Sequence, residues 1–236
     1  MNHPTQPCAS MLLIGASRGI GHAMAAEFLR RGWEVVGTVR GQGRTPLHDL
    51  ADTHPGRLEV ESLDITQAGQ ILALRERLAQ RRFDVLFVNA GTANRERDHT
   101  MAQVSDEEFA RVMATNALGP MRALEMLGEL VDPAGLLGLM SSGQGSVSNN
   151  EQGGRDLYRA SKAALNMLMR CFAAREAGSA RALLLLAPGW IRTDLGGADA
   201  PFTLEQTLPD IAQRILDTRG RPGLHYLDRM GRTVPW

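Results

Sequence analysis

The 236-residue sequence predicts one α/β domain: a doubly wound, mostly parallel sheet of about seven strands with helices on both faces. Three observations carry that expectation. Short apolar runs alternate with stretches of helical spacing, the order that builds parallel sheets through crossover helices. Runs such as 83–88 and 181–187 are nearly unbroken in apolar residues, as strands buried on both faces must be. The first run passes directly into a glycine-rich turn, a helix and a second strand, the context of a nucleotide-binding loop. The length suits a single domain over 1–236, with residues 1–8 as a flexible lead.

Taken in order, residues 9–14 form the first strand, and Gly15-Ala-Ser-Arg-Gly19-Ile-Gly21 the turn. Glycines allow a sharp turn and a close approach to a pyrophosphate, while the helix start offers free N–H groups and its positive dipole end. The helix places Ile20, Met24, Phe28 and Leu29 on one face and stops at Gly32; residues 33–39 form the second strand. Residues 41–57 read mainly as a connection with one helical turn. The third strand, 58–63, ends at Asp64-Ile65-Thr66, where Asp64 is equally suited to cap the helix starting before Ala68. That helix, 67–82, carries Ile71, Leu74 and Leu78 at helical spacing, and the fourth strand, 83–88, ends in Asn89-Ala90-Gly91.

The polar stretch 92–101 lacks periodicity and reads as a mobile loop at the sheet's carboxyl edge, where ligands bind in such folds. A long helix follows, with Ser105 and Glu108 as a capping box and Phe109, Val112, Met113 and Leu118 on its apolar side. Asn116, Gly119 and Pro120 are poor helix-interior residues, so a kink that frees a backbone carbonyl is expected there. The fifth strand, 135–140, leads to Ser141-Ser142 and a loop rich in Ser, Asn, Gly and Gln. The next helix shows Leu165, Leu168, Met169 and Phe172 on its apolar face and ends at Gly178. A sixth strand, 181–187, a Pro188-Gly189 turn, a short segment 194–203, a helix 204–218 and a seventh strand 224–227 complete the chain.

Acidic and basic residues number 26 each, so no net charge favours nucleic acid or an anionic membrane as partner. No apolar run approaches the ~20 residues that span a bilayer. Cys8 and Cys171 are too few for a disulfide framework and lack metal-ligand spacing, so free thiols in a reducing compartment, and no metal, are expected. The start of the chain has neither a basic region nor a long apolar run, unlike a secretory signal. A soluble cytoplasmic protein is the expectation.

One stretch stands apart. Residues 156–166 hold Tyr158, one of two tyrosines, and Lys162, the only lysine among 26 basic residues. Arg is a rigid planar fork, whereas Lys is a compact point charge with three swivelling donors. At i and i+4 of a helix the phenol and ammonium share a face, with Cβ atoms roughly 5–6 Å apart. A nearby cation lowers a tyrosine pKa from about 10 and makes an acid able to donate near neutral pH. The same spacing also suits an ordinary amphipathic helix with a half-buried Tyr and a snorkelling Lys. At the end of the second strand stands Thr38-Val39-Arg40, with no acidic residue, and Arg18 lies in the glycine turn. Two guanidiniums there suit a 2′-phosphate and hence NADP(H) over NAD(H), although both could be solvated surface arginines.

The Gly15, Gly19, Gly21 spacing and the Tyr158-x-x-x-Lys162 pair resemble the short-chain dehydrogenase/reductase family. Asn89-Ala90-Gly91, Asn116, Ser142 and the Pro188-Gly189…Thr193 loop follow in that family's order, so the resemblance spans essentially the whole chain. It implies a Rossmann-type domain in which Gly15, Ser17, Arg18, Gly19, Ile20, Gly21 and Arg40 hold the cofactor's phosphates and adenosine. Asp64, Ile65, Asn89, Ala90 and Gly91 would flank the adenosine side, and Pro188, Gly189, Ile191 and Thr193 would cover the nicotinamide. Asn116, Ser142, Tyr158 and Lys162 would be catalytic, with Ser142 rather than Ser141 holding the substrate carbonyl, and Tyr158 and Lys162 also touching the cofactor. The 188–197 run, the Ser142 loop and the Pro235-Trp236 end look most like the C-factor and sniffer-type carbonyl reductase branch.

The function so implied is hydride transfer between NADP(H) and a small carbonyl or alcohol. The resemblance also allows a C-factor-like regulatory protein that binds dinucleotide with little turnover, or a dehydrogenase or epimerase of carrier-bound or nucleotide-linked substrates. It further implies a homodimer or homotetramer built on the helices around Asn116 and Tyr158. Met121, Leu124, Met126, Leu127 and Met167 could serve that interface or a private core.

Overall fold

A computed structural model describes residues 8–236, so the lead expected at 1–8 lies, except for Cys8, outside the described residues. Cys8 is exposed, and its thiol donates to the Gly32 carbonyl at 2.8 Å. Seven strands form one wholly parallel sheet: β1 (Ser10–Ile14), β2 (Glu34–Val39), β3 (Leu58–Ser62), β4 (Phe83–Val88), β5 (Val131–Met140), β6 (Ala182–Ala187) and β7 (Gly223–Asp228). Their order is β3-β2-β1-β4-β5-β6-β7. The chain winds outward from β1 through β2 and β3, then returns to β4 and winds the other way. Adjacent loops at the carboxyl ends of β1 and β4 therefore diverge and leave a crevice, the usual ligand site of such sheets.

Helices α1 (Gly19–Arg30), α2 (Pro46–Asp52), α3 (Ala68–Arg77), α4 (Asp106–Met113), α5 (Gly119–Leu127), α6 (Asp156–Arg175) and α7 (Leu204–Thr218) cover the two faces. Two apolar clusters result, one on each side of the sheet, because successive strand residues point to opposite faces. Leu183 and Leu185 join one cluster while Leu184 and Leu186 join the other, which explains the unbroken leucines of β6. Among the described residues, no helix is long and apolar enough to cross a membrane.

Several local expectations are corrected. The segment 41–57 contains a full short helix, α2, started by Thr45 and Pro46 and closed by reciprocal bonds between Thr45 and His48. His48 stands where a Glu or Gln ordinarily completes that cap, so the signal was hidden. The fifth strand starts at Val131, four residues early; exposed Asp132, Pro133 and Ala134 lie beside a register shift between Phe83 and Val85. Asp64 does not cap α3, whose N-cap is Gln67; its carboxylate instead accepts from the backbone N–H and hydroxyl of Thr66. Half of the Ser105 capping box forms, since Glu108 turns away to the Arg95 backbone and Arg111.

The apolar sides of α4 and α6 are only partly buried: Val112, Leu165 and Met169 are in the core, but Phe109, Leu118 and Leu168 face outward. Met121, Leu124 and Leu127 are buried, with Met126 packed against the same cluster, so only Met167 of that group remains available to an interface. The stretch 92–101 is fastened to its surroundings, chiefly by Asn116 to Thr92, Arg111 to Ala93 and Arg97 to the Asp194 carbonyl.

Candidate active site

A cleft of about 1190 Å³ opens at the carboxyl ends of the strands. That exceeds the roughly 300–1,000 Å³ of ordinary small-ligand pockets. Every residue expected at the site lines it except Gly21 and Asn116, which are buried.

The glycine turn is built for close approach. A Cβ at Gly21 would lie 2.1 Å from the Gly15 carbonyl oxygen, so only glycine lets α1 begin this near the turn. At Gly15, with φ +86°, a Cβ would strike the Ala90 backbone at 2.8 Å. Asn89 braces the turn by donating to the Gly15 carbonyl at 2.8 Å, and Gly15 N–H donates to the Thr38 hydroxyl at 2.9 Å. The Thr193 methyl lies 3.6 Å from where a side chain at Gly19 would begin, so the 188–193 loop faces the turn across the cleft. Arg18 reaches over the same gap to Asp194 at 2.7 Å, both side chains well exposed. Such an exposed pair contributes about 0–1 kcal/mol, so it holds that guanidinium only weakly. Arg40, at the end of β2, lines the cleft and makes no ion pair among the described residues.

Asn116 sits in a π-helical turn, Ala114–Leu118, between α4 and α5. The expected break is thus a widened turn, a feature frequent at functional sites. Its side chain is fully engaged: Oδ1 accepts from Thr92 N–H at 2.8 Å, and Nδ2 donates to the Thr92 carbonyl and the Ser161 hydroxyl. Oδ1 and the Lys162 Nζ both crowd Gly91, lying 3.4 and 3.5 Å from where its Cβ would stand.

Ser141 and Ser142 have separate jobs. Ser141 is buried and donates to Asn166 Oδ1 at 2.6 Å, while Ser142 lines the cleft with its hydroxyl accepting from Gln144 N–H. Two residues that sequence reasoning missed hold this loop. Asn166 donates onward to the Gly145 carbonyl, and Tyr226, on β7, donates to the Ser142 carbonyl at 2.6 Å. The only available signal for Tyr226 was its rarity. Trp190 was also missed; its indole N–H closes the 188–196 loop on the Gly196 carbonyl at 2.7 Å.

Tyr158 and Lys162 share one face of α6, with Nζ 6.0 Å from the phenol ring centroid. Lys162 is buried and donates to the Met140 carbonyl at 2.9 Å; burial brings its pKa down to about 8. Tyr158 does not follow the expectation of a lowered pKa. Burial of its hydroxyl raises it, opposed only in part by the Ser142 hydroxyl and the positive charge of Arg155. The ammonium is turned to Met140, and the phenol stays protonated.

Fold, crevice and glycine turn together define a dinucleotide-dependent oxidoreductase. Residues 15–220 match the family model described as Enoyl-(Acyl carrier protein) reductase. A Burkholderia multivorans short-chain dehydrogenase/reductase solved with bound NADP is 58% identical, with TM-score 0.96, over 98% of this chain and 100% of that one. A carbonyl reductase of Pseudomonas aeruginosa PAO1 is 34% identical, with TM-score 0.89, over 97% and 100%. C-signal of Myxococcus xanthus is 32% identical over 65% of this chain and 92% of that protein. The chain belongs to the short-chain dehydrogenase/reductase family of oxidoreductases. The nearness to the C-factor and carbonyl reductase branch read from the sequence agrees with these relatives.

Proposed function

We propose that the protein is an NADP(H)-dependent carbonyl reductase whose general acid is Tyr158. The single observation that carries this reading is one cleft lined by the glycine turn, Ser142, Tyr158 and Lys162, with Asn116 directly behind. The cleft suits NADP(H): close backbone approach at Gly15 and Gly21 admits a pyrophosphate, and the unpaired Arg40, with no carboxylate at the end of β2, favours a 2′-phosphate. Gly15, Ser17, Gly19 and Ile20 would hold the phosphates, Asp64, Ile65 and Asn89–Gly91 the adenosine side, and 188–193 the nicotinamide.

Bound NADPH supplies the hydride. Ser142 donates a hydrogen bond to the substrate carbonyl oxygen, and Tyr158 gives that oxygen a proton as charge develops on it. A phenol kept protonated by burial suits this direction. Lys162, at about 8, exchanges its own proton within reach of neutral pH, and Asn116, in the widened turn, stands with it against Gly91 as the next member of the relay. A regulatory protein without turnover would need neither the lone Lys nor this convergence of hydroxyls.

Exposed Leu118, Met167 and Leu168 line an apolar groove between α4, the π-turn and α6, and a second copy of the chain is its proposed occupant. Two exposed free cysteines suit a reducing, cytoplasmic setting.

NADPH oxidation screened over aldehydes, ketones, quinones and diketones tests the reading. Tyr158→Phe is expected to bind NADPH yet lose at least ~100-fold in turnover, the scale of general acid catalysis; retained activity removes Tyr158 from the role. The Michaelis constant for NADPH is expected below that for NADH, and equal values reject the assignment of Arg40.

A further inference from the structure

The cleft holds a second cation without a partner, at the catalytic end. Arg155 lines the cleft one turn before Tyr158 and makes no hydrogen bond or ion pair through its side chain among the described residues. The other cleft arginines on that side are engaged: Arg111 with Glu108, the Thr92 hydroxyl and the Ala93 carbonyl, Arg97 with the Asp194 carbonyl.

Arg155 also breaks two local rules at once. With φ 55° and ψ 40° it is the single non-glycine residue of positive φ among the described residues, following Gly153 and Gly154 of the same hand. An L-residue with a Cβ is held there at a cost of roughly 1–3 kcal/mol. It is also the N-cap of α6 and caps nothing, although Asn, Asp, Ser or Gly serve that place better by about 1 kcal/mol. Glycine or asparagine would satisfy both demands. A residue that fits neither the backbone nor the cap, yet presents a free guanidinium to a reaction cleft, marks function over folding. The same cleft also holds Asn94, buried, with Oδ1 lacking any partner among the described residues, so the pocket is set for a polar ligand.

We infer that Arg155 reads an anionic group on the substrate, and that the preferred substrates are carbonyl compounds carrying a carboxylate or similar anion within reach of the carbonyl. This rests on the reductase reading above. Guanidinium and carboxylate meet through charge-assisted, bidentate bonds, and the start of α6 adds its positive dipole end. Arg155 acts on the substrate's remote end and fixes which carbonyls are presented to Tyr158.

The test compares 4-carboxybenzaldehyde with its neutral methyl ester, using wild type, Arg155→Lys and Arg155→Asn. Wild type is expected to favour the acid at least tenfold in kcat/KM, mostly through KM. Arg155→Asn should abolish the preference, keep ester reduction within about threefold, and raise Tm, because Asn accepts the left-handed backbone and caps the helix; Arg155→Lys should keep part of it. A wild type indifferent to the charge, or an Arg155→Asn that loses both aldehydes equally, overturns the inference. Titration calorimetry of each aldehyde against NADP+-loaded protein separates the two readings. If neither aldehyde is reduced, the reductase reading fails for this substrate class, and the acid-to-ester Kd ratio in wild type and Arg155→Asn still decides the role of Arg155.

Discussion

At the scale of single residues, the site works by burial as much as by pairing. The lone lysine is held by Met140 and pressed by desolvation to about 8, while Tyr158 is pushed upward. Reduction should therefore run level through neutral pH, fall first as Lys162 loses its relay proton above about 8 and again where the phenol ionises, above its ordinary ~10, whereas alcohol oxidation rises over that alkaline range; initial rates from pH 6 to 11 in both directions check this. Lys162 also leaves a thermodynamic mark. Its folded pKa of about 8 lies below the ordinary 10.5, so between those values the unfolded chain binds more protons and stability rises with pH. Below pH 8 the penalty is complete. Urea unfolding of wild type and Lys162→Met should show the difference in stability shifting toward wild type by roughly 2–3 kcal/mol between pH 7 and 10.5. A constant difference would place the ammonium in an unshifted environment.

At the scale of elements, Ser142, the serine proposed to hold the substrate carbonyl, is positioned by a strand distant in sequence. The hydroxyl of Tyr226 on β7 fixes the Ser142 carbonyl, Asn166 on α6 ties Ser141 and Gly145, and the Trp236 carbonyl accepts from the Ser148 N–H and hydroxyl. Trp236 in turn packs on Tyr226, with ring centroids 5.2 Å apart. Tyr226→Phe leaves the Ser142 carbonyl without that donor, at a cost of about 1–3 kcal/mol in stability. Turnover should fall about tenfold through a displaced Ser142, with NADPH affinity unchanged because the phosphate turn lies on the other side of the crevice. Calorimetric Kd beside kcat checks both halves. Equal loss in both would make Tyr226 a general packing residue.

At the scale of the whole molecule, the two-way winding of the sheet brings loops from six strands to one edge, and the outer face of α4 and α6 is left apolar. Scattered apolar residues on a surface are ordinary, but Leu118, Met167 and Leu168 line one groove. A two-fold contact on that face would be self-complementary, with α6 of one copy against α6 of the other. Met167→Arg places like charges opposite each other across such an axis. The variant should run as a smaller species in sedimentation velocity while remaining folded, and unchanged sedimentation would detach that face from assembly.

Much of this was legible from residues alone, for identifiable reasons. The glycine turn, the parallel strands and the Tyr158–Lys162 pair are local: backbone sterics, apolar runs and helical spacing act within a few residues and so are written in the order of the chain. Helix α2 escaped because His48 performs a cap normally assigned to other residues. Other properties needed the third dimension. Whether Phe109 and Leu168 were core or surface depended on which element covers them, and whether the lysine faced the phenol or Met140 depended on a strand end 22 residues away. The sequence by itself determined the fold class and the residue types that gather at the cleft. Only the tertiary structure decided their burial, and with it the raised phenol, the clamp of Tyr226 and the free guanidinium of Arg155, because desolvation and unpaired charge are sums over neighbours that are remote along the chain.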